Sequence, residues 1–225
     1  HGGDVSGNID EYTRHAITKI SNIHFTATQK SKNRIIRMGE NPKFVFLVGS
    51  PSIDEVRSGQ ITSKRDFERK YGIDVSKQHI ILLYHPETTQ MTNIKNNIQS
   101  ILNAVSSFRL PTIIISPNSD LGSNIINQEI KKFEKKHSFA KLFSSLPRDD
   151  FLCLMSGSGV LVGNSSSGII EGSYLGTSVV NIGIRQNGRE QSSNLINIKK
   201  QSQSLIKKAI TKALKNKPKK STLYG

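Results

Sequence analysis

Short apolar runs alternate along this 225-residue chain with longer segments in which apolar residues recur every three or four positions. The runs are strand-sized and rich in β-branched residues, whereas the segments have the period of amphipathic helices. In the second half of the chain the predicted strands are Ile80–Tyr84, Thr112–Ser116, Leu142–Ser145, Val160–Gly163 and Ser178–Ile182, and the predicted helices are Ile94–Phe108, Ile125–Lys136, Phe151–Ser156 and Ser167–Leu175. Because strands that alternate with helices form parallel sheets with helices on both faces, we predict an α/β fold.

The first 65 residues alternate in the same way, with shorter elements. Their predicted helices are Ile9–Phe25, Ser31–Met38 and Ser52–Ser58, and their predicted strands are His24–Thr28 and Phe44–Gly49. The charged stretch Lys64–Tyr71 predicts a connector between two domains. Since a domain usually has about 100–150 residues, residues 66–225 correspond to one domain and residues 1–65 to roughly half of another.

The lengths of the apolar runs and the single cysteine indicate in which compartment the protein is expected. The longest apolar runs are far shorter than the ~20 residues of a membrane-spanning helix, and no charged-then-apolar leader opens the sequence. The single cysteine, Cys153, lies in an apolar stretch and has no partner for a disulfide, which is typical of a small core residue in a reducing compartment. We therefore predict a cytoplasmic protein with no membrane partner.

The net charge raises the question of whether the protein binds nucleic acid. The formal charge is +15, and nine lysines with no acidic residue lie between Lys199 and Lys220. Apolar residues at helical spacing in the same stretch predict an amphipathic helix with a solvated lysine face. A helix that binds a polyanion is the alternative, but no helix-turn-helix, zinc-finger or aromatic RNA-binding pattern accompanies it. We expect no nucleic-acid partner.

The stretch Val160–Glu171 carries the strongest chemical signal. An apolar strand leads into a turn containing Ser165, Ser166 and Ser167, where a helix begins. Small residues and the free N–H groups of a helix start favour phosphate binding, whereas the alternative interpretation is a serine-rich helix cap. Glu171 follows about one turn later, where its carboxylate suits ribose hydroxyls or, in the alternative, compensates the helix dipole.

Three other predicted strands also end in polar residues. His85, Asn118 and Arg185 each follow such a strand end. Ligands of open parallel sheets bind at the carboxyl ends of the strands, so these residues are candidate phosphate ligands, although a lone histidine is more often structural. The six histidines are scattered and no metal-binding spacing is present, so we predict neither a metal nor a cofactor.

The start of the chain offers candidate acid–base residues. Asp10 and Arg14 are four residues apart on one predicted helix face, and His1 and Asp4 lie in the preceding turn. One interpretation is a helix ion pair of about 0.3–0.5 kcal/mol. The other is an acid or base that Arg14 holds in place.

Six ordered blocks identify a family that the chain resembles. They are His1–Lys19, Gly49–Pro51, His85–Thr89, Ser116–Asp120, Gly163–Glu171 and Asn181–Glu190. Together they resemble the hydrolysing UDP-N-acetylglucosamine 2-epimerases of sialic-acid and related nonulosonic-acid synthesis. The resemblance implies a GT-B-like fold of two Rossmann-like domains with parallel sheets, the N-terminal one only partly present. It also implies that strands precede His1 and that a helix follows Gly225.

The same resemblance implies a reaction and roles for the candidate residues. Family members cleave the anomeric C–O bond of UDP-N-acetylglucosamine, release UDP and hydrate a glycal intermediate to N-acetylmannosamine, inverting C2. Asp10 would be an acid–base residue, and His1 stands where many relatives have a catalytic glutamate. The residues that would hold UDP are His85, Asn118, Ser165, Ser166, Glu171 and Arg185.

Three alternatives and two further expectations remain. The substrate alternative is UDP-N,N'-diacetylbacillosamine, the mechanistic one is a non-hydrolysing epimerase that returns UDP-N-acetylmannosamine, and a basic nucleic-acid-binding module is a different class. The resemblance implies a homo-oligomer, a dimer or a tetramer. Because the cleft between the two domains would be incomplete, we expect these 225 residues alone to turn over substrate poorly or not at all.

Overall fold

The computed structural model describes residues 9–59, 61–87, 93–157 and 159–225, with side chains described from Tyr12 onward. The described residues from 9 to 59 include three α-helices, one short 3-10 helix (Pro42–Phe44) and a two-stranded parallel sheet. The helices are α1 (Ile9–Ile20), α2 (Gln29–Arg37) and α3 (Pro51–Arg57), and the strands are β1 (His24–Thr26) and β2 (Val45–Leu47). Thr28 starts α2, because its side chain accepts a hydrogen bond from the backbone N–H of Ser31.

The second part of the chain is a six-stranded parallel sheet with helices on both faces. Its strands are β3 (Ile80–Leu83), β4 (Thr112–Ile115), β5 (Ala140–Phe143), β6 (Val160–Gly163), β7 (Ser178–Ile182) and β8 (Leu195–Ile198). Its helices are α4 (Lys64–Tyr71), α5 (Ile94–Ser106), α6 (Ser123–Lys136), α7 (Arg148–Ser156), α8 (Ser166–Ile169), α9 (Glu171–Leu175) and α10 (Gln203–Lys215).

The strand order locates a crevice in this sheet. The order is β5-β4-β3-β6-β7-β8, with every neighbouring pair parallel. The first strand of this sheet, β3, is central, and β4 and β5 are added on one side of it. The chain then returns to place β6 on the other side of β3, followed by β7 and β8. In such a doubly wound sheet the loops after β3 and β6 diverge and leave a crevice at the carboxyl ends of these two strands.

Alternate residues of each strand pack on opposite faces of the sheet. In β3, Ile80 and Leu82 contact the cluster under α5, α6 and α10, whereas Ile81 and Leu83 contact the cluster under α4 and α7. Burial on both faces explains why the central strands are continuous apolar runs. A third, smaller cluster of Ile53, Ile169 and Tyr224 joins α3 to α8 and to the last residues of the chain.

Several element predictions were wrong in detail. Lys64–Tyr71 is a helix rather than a connector, with Ser63 as its N-cap and Gly72 in the left-handed conformation as its C-cap. The first helix ends at Ile20, since Phe25 lies in β1. The helix predicted at Ser167–Leu175 is divided at Ile170 into α8 and α9. Strand β8 was not predicted, and the division at residues 65 and 66 stays a prediction.

The basic stretch near the end of the chain forms α10, as its apolar spacing predicts. Ile206, Ala209, Ile210 and Ala213 are buried against the sheet, and the lysines of the helix lie on its exposed side. The interpretation as an amphipathic helix is confirmed. Cys153 is buried and unpaired, as expected of a core residue.

Candidate functional site

A cavity of about 560 Å³ lies at the carboxyl ends of the central strands. The described residues that line it all belong to positions 83–185, at the ends of β3 and β4, in the loops that follow β3 to β7, and in α7 and α8. Five of the predicted UDP ligands are among them: His85, Asn118, Ser165, Ser166 and Arg185. Residues predicted from four separate strand ends therefore meet in one cavity.

His85 is a buried, neutral hydrogen-bond donor. Its ring Nδ1 lies 3.2 Å from the backbone nitrogen of Asn118, and because a backbone N–H can only donate, Nδ1 accepts. The ring proton is then on Nε2. Burial and, to a smaller extent, the nearby charge of Arg185 lower the pKa of His85 to about 4. At neutral pH the imidazole is uncharged and presents one N–H group.

Asn164 connects the loops after β3, β6 and β7. The backbone N–H of His85 donates to Asn164 Oδ1 at 2.7 Å, and Asn164 Nδ2 donates to the carbonyl oxygen of His85 at 2.9 Å. The carbonyl oxygen of Asn164 accepts from Arg185 Nη1 at 3.2 Å and from Gln186 Nε2 at 2.8 Å. With its side chain fully buried, Asn164 fixes the distance between the histidine and the arginine.

Glu87 holds the backbone of the loop that carries Arg185. Its Oε1 accepts from the N–H groups of Ile184 at 2.7 Å and of Arg185 at 3.1 Å. Gly183 makes room for this carboxylate, because a Cβ at that position would lie 2.0 Å from Oε1 and its φ of +87° favours glycine. The carboxylate is 4% exposed and sets the direction in which the Arg185 loop leaves the sheet.

The serine turn combines a capping role with a place on the cavity wall. Ser165 is the N-cap of α8, and its Oγ accepts from the backbone N–H of Ser167 at 3.3 Å. Ser165 is buried, whereas Ser166 and Ser167 are half-buried, and all three line the cavity. Because α8 has only four residues, its dipole is small, and the serine hydroxyls and backbone N–H groups are the main donors that the turn offers.

Glu171 does not lie among the described residues of the cavity wall. Its Oε1 is 2.7 Å from Nη2 of Arg148, which does line the cavity, and its Oε2 is buried with no partner in the described part of the chain. Burial raises the pKa of Glu171, and the hydrogen bond and charge of Arg148 oppose that rise. The role of Glu171 as a UDP ligand stays a prediction; in the structure its carboxylate is paired with Arg148, which faces the cavity.

Arg148, Asn164 and Glu87 were not predicted from the sequence. Arg148 follows β5 both as predicted and as observed, so the rule that assigned polar strand ends to the site could have found it. Asn164 and Glu87 act through backbone groups of other loops. Their roles depend on which strands are neighbours, and that is not visible in local sequence.

Of the acid–base candidates near the start of the chain, only Arg14 has a described side chain. His1 and the side chain of Asp10 are outside the described residues, and the backbone of Asp10 is helical. Arg14 is half-buried in α1, where its carbonyl oxygen accepts from Thr18 Oγ1 at 3.0 Å. Arg14 is not among the described residues that line the cavity. In the described part of the chain, no three His, Cys, Asp or Glu side chains are grouped so that they could hold a metal ion.

A doubly wound parallel sheet with a polar cavity at its switch point is typical of α/β proteins that bind nucleotides. A family model for UDP-N-acetylglucosamine 2-epimerase matches residues 1–225, and the chain belongs to this family.

Three relatives are between 33% and 41% identical to the chain over the aligned residues. The chain is 41% identical over 198 residues to the "UDP-N,N'-diacetylbacillosamine 2-epimerase (hydrolyzing)" of Legionella pneumophila, covering 88% of this chain and 52% of that protein. It is 36% identical to "Polysialic acid biosynthesis protein P7" of Escherichia coli, covering 92% and 53%. It is 33% identical to the "GDP/UDP-N,N'-diacetylbacillosamine 2-epimerase (hydrolyzing)" of Campylobacter jejuni, covering 87% and 52%. The chain thus spans about half the length of these relatives.

Solved structures confirm the predicted GT-B-like α/β fold with parallel sheets. The UDP-GlcNAc 2-epimerase of Neisseria meningitidis, solved with UDP-GlcNAc, aligns with a TM-score of 0.76 at 17% identity, covering 96% of this chain and 61% of that one. The enzyme of Methanocaldococcus jannaschii, solved with UDP-GlcNAc and UDP, aligns with a TM-score of 0.74 at 18% identity, covering 99% and 63%. Among the described residues, no helix has the length and apolar character needed to span a membrane.

Proposed function

We propose that the cavity binds the UDP part of a UDP-linked 2-acetamido sugar and that the protein is a hydrolysing UDP-N-acetylglucosamine 2-epimerase. Its products would be UDP and free N-acetylmannosamine, for nonulosonic (sialic) acid synthesis. One observation carries the proposal: His85, Asn118, Ser165, Ser166 and Arg185 line a single cavity at the switch point of the sheet. We also propose that residues 1–65 and 66–225 belong to two domains, and that the protein forms a homo-oligomer.

The chemistry of these side chains suits a diphosphate leaving group. When the anomeric C–O bond breaks, negative charge develops on the terminal phosphate of UDP. The Nε2–H of His85, the serine hydroxyls and the Arg185 guanidinium are donors at the cavity that stabilise such charge, and Asn164 and Glu87 hold two of them in place. Because these positions are fixed before the ligand binds, little reorganisation accompanies the reaction.

The proton transfers of the reaction need groups outside the described cavity wall. Removal of the C2 proton and addition of water require an acid and a base. We propose Asp10 for one of these roles, with Arg14 orienting it, and His1 as a further participant. The family resemblance and the spacing of Asp10 and Arg14 along α1 support this assignment.

The names of the relatives favour a second substrate. Two relatives at 41% and 33% identity are named as hydrolysing epimerases of UDP-N,N'-diacetylbacillosamine. That sugar differs from N-acetylglucosamine at C4 and C6, far from the diphosphate. The residues of this cavity that hold UDP therefore suit both sugars equally.

Analysis of the reaction products formed by the full-length protein tests the function. We expect ¹H and ¹³C NMR of the reaction with UDP-GlcNAc to show UDP and free N-acetylmannosamine. Turnover of UDP-N,N'-diacetylbacillosamine alone would assign the second substrate, and a product that remains UDP-linked would assign the non-hydrolysing reaction. Absence of turnover with either sugar nucleotide would contradict the proposal.

Removal of the Arg185 guanidinium tests the binding site by itself. We expect Arg185→Ala to weaken UDP binding about 30-fold or more in calorimetry, because a charged hydrogen bond to phosphate is lost. Arg65→Ala is the matched control, since Arg65 is exposed on α4. Equal affinities of the two variants would contradict the site. Salt-sensitive DNA binding without UDP affinity would instead indicate the basic nucleic-acid-binding module.

A further inference from the structure

Glu87 occupies a pair of backbone donors whose geometry suits an anion. The N–H groups of Ile184 and Arg185 are successive, and both donate to Oε1 of Glu87, at 2.7 Å and 3.1 Å. They follow Gly183, whose φ of +87° lies in the left-handed region. Successive N–H groups in such a turn form a concave nest that binds anions, phosphates among them. In this protein a side chain of the chain itself fills the nest.

The space around the carboxylate is closed and shaped for it. A Cβ on Gly183 would lie 2.0 Å from Oε1 and 2.9 Å from Oε2 of Glu87, so the carboxylate takes the room that a side chain at position 183 would need. Oε2 is buried and has no partner among the described residues. A buried polar atom without a partner costs free energy, and such costs are found mainly where a residue serves a functional site.

The nest lies at the base of the arginine that faces the cavity. Arg185 supplies one of the two N–H groups, so Glu87 fixes the backbone from which the guanidinium extends. At the other end of this side chain, Nη1 donates to the carbonyl oxygen of Asn164 at 3.2 Å. The backbone and the guanidinium are therefore held by two different loops, those after β3 and β6. If the backbone were released, the side chain would have to be ordered when the ligand binds, at a cost in affinity.

We propose that Glu87 is a positioning residue whose carboxylate acts as an internal anion, filling the nest of Ile184 and Arg185 and thereby orienting Arg185 toward the phosphates of bound UDP. The inference rests on the proposed function, since it requires UDP in the cavity. Because Glu87 and His85 belong to the same loop, one segment places two phosphate donors, one directly and one through the nest. The loss of Glu87 should therefore affect binding of the phosphates and not of the nucleoside.

A comparison of UDP with uridine separates positioning from general support of the fold. We would measure the affinity of the full-length protein for UDP by calorimetry and for uridine by NMR titration. Glu87→Ala is expected to bind UDP at least about tenfold more weakly than the wild type, because Arg185 is no longer ordered before binding. Its affinity for uridine, which has no phosphate, stays within about twofold. Glu68→Ala, on the exposed side of α4, is the matched control and keeps both affinities.

A double-mutant cycle shows whether Glu87 acts through Arg185. In the wild type, Arg185→Ala is expected to weaken UDP binding about 30-fold, whereas in the Glu87→Ala background the same change should cost less than about threefold. Such a difference means that the guanidinium contributes only when the carboxylate is present. Equal costs in the two backgrounds would overturn the inference.

Added acetate tests the nest itself. Acetate contains the atoms that Glu87→Ala removes beyond Cβ, so in excess it is expected to raise the UDP affinity of this variant at least about threefold. Trimethylacetate has the same charge but is too bulky for the space beside Gly183, and at the same concentration it should leave the affinity unchanged. Equal recovery in both salts would indicate an effect of ionic strength and would overturn the inference. No recovery in acetate overturns it as well.

Glu87→Gln decides the matter if Glu87→Ala does not fold. The amide keeps an acceptor for the two N–H groups but lacks the charge, so UDP binding is expected to be about three- to fivefold weaker with uridine binding unchanged. Wild-type affinity for UDP in this variant overturns the inference.

The remaining outcomes separate the inference from the proposed function. An equal loss of UDP and uridine affinity in either variant would mean that Glu87 only supports the fold, which overturns the inference and leaves the proposed function standing. No UDP binding by the wild type removes the proposed function itself.

Discussion

At the scale of single residues, one hydrogen bond and burial determine the tautomer and the protonation state of His85. The N–H of Asn118 occupies Nδ1, which leaves Nε2 as the donor, and burial keeps the ring uncharged. A neutral donor binds a phosphate without the cost of burying a second cation beside Arg185. The sequence predicted the presence of this histidine at a strand end. Its protonation state follows from the neighbouring loop after β4.

The lowered pKa of His85 predicts a pH dependence of stability. The unfolded chain has the ordinary value of 6.5 and the folded chain about 4, so between these pH values the unfolded state binds more protons and stability rises with pH. This contribution is present above pH 6.5, where it amounts to about 3 kcal/mol, and is lost as pH falls toward 4.

Urea unfolding between pH 4 and 7 checks this prediction. We expect His85→Gln to show a smaller increase of the free energy of unfolding across this range than the wild type, because glutamine does not titrate. Parallel pH profiles of the two proteins would mean that His85 is not held neutral by the fold.

Among the elements, α4 and β8 show what a local pattern does not reveal. Only Phe67 of α4 is fully buried, so the apolar period is weak, and its caps Ser63 and Gly72 were the signals that predict a helix. Strand β8 follows a long polar loop and lies at the sheet edge, where partial burial weakens the apolar run. The central strands were predicted well because burial on both faces requires continuous apolar runs.

A buried carboxylate attaches α4 to the sheet domain. Asp150 at the start of α7 accepts from Thr62 Oγ1 at 2.6 Å, Lys70 Nζ at 2.6 Å and Tyr71 Oη at 2.5 Å. Burial by itself would raise the pKa of Asp150, but these donors outweigh it and the pKa is lowered. The resulting stabilisation is present above the ordinary value of 3.8 and is lost as the carboxylate is protonated at lower pH.

We expect Asp150→Asn to lower the free energy of unfolding by about 2–3 kcal/mol at neutral pH, because donors are left without an acceptor. Asp149→Asn is the matched control, since the neighbouring Asp149 is exposed, and it should cost less than about 1 kcal/mol. Chemical denaturation of both variants gives the comparison. Equal losses would show that the contacts to α4 do not stabilise the fold.

At the scale of the whole molecule, the residues around Tyr224 connect the part of the chain that contains the two-stranded sheet to the part that contains the six-stranded sheet. Tyr224 is buried beside Ile53 and Ile169, and its hydroxyl donates to the carbonyl oxygen of Glu190 at 2.6 Å. Its own carbonyl oxygen accepts from the backbone N–H of Ser50 at 2.6 Å. A parallel sheet with helices on both faces was predictable from alternating elements. This return of the last residues to α3 was not, because it depends on contacts between distant parts of the chain.

Tyr224→Ala should therefore loosen one region rather than the whole protein. We expect hydrogen exchange to rise in residues 50–57 and 169–175, while β3, β4 and β6 keep their protection, because the buried ring packs only at that junction. Tyr12→Ala, which changes a tyrosine that is 77% exposed, is the control. Faster exchange spread evenly over the sheet would contradict this assignment.

Gly163, the last residue of β6, has a consequence for how this crevice can be altered. A Cβ at this position would lie 1.9 Å from the carbonyl oxygen of Leu83 in the neighbouring strand, and the φ of +147° is itself unfavourable for other residues. Any methyl group here would force the two central strands apart at the mouth of the crevice. Redesign of the crevice for a different ligand must therefore exchange the side chains around the opening, since the spacing of the strands beneath them cannot be adjusted.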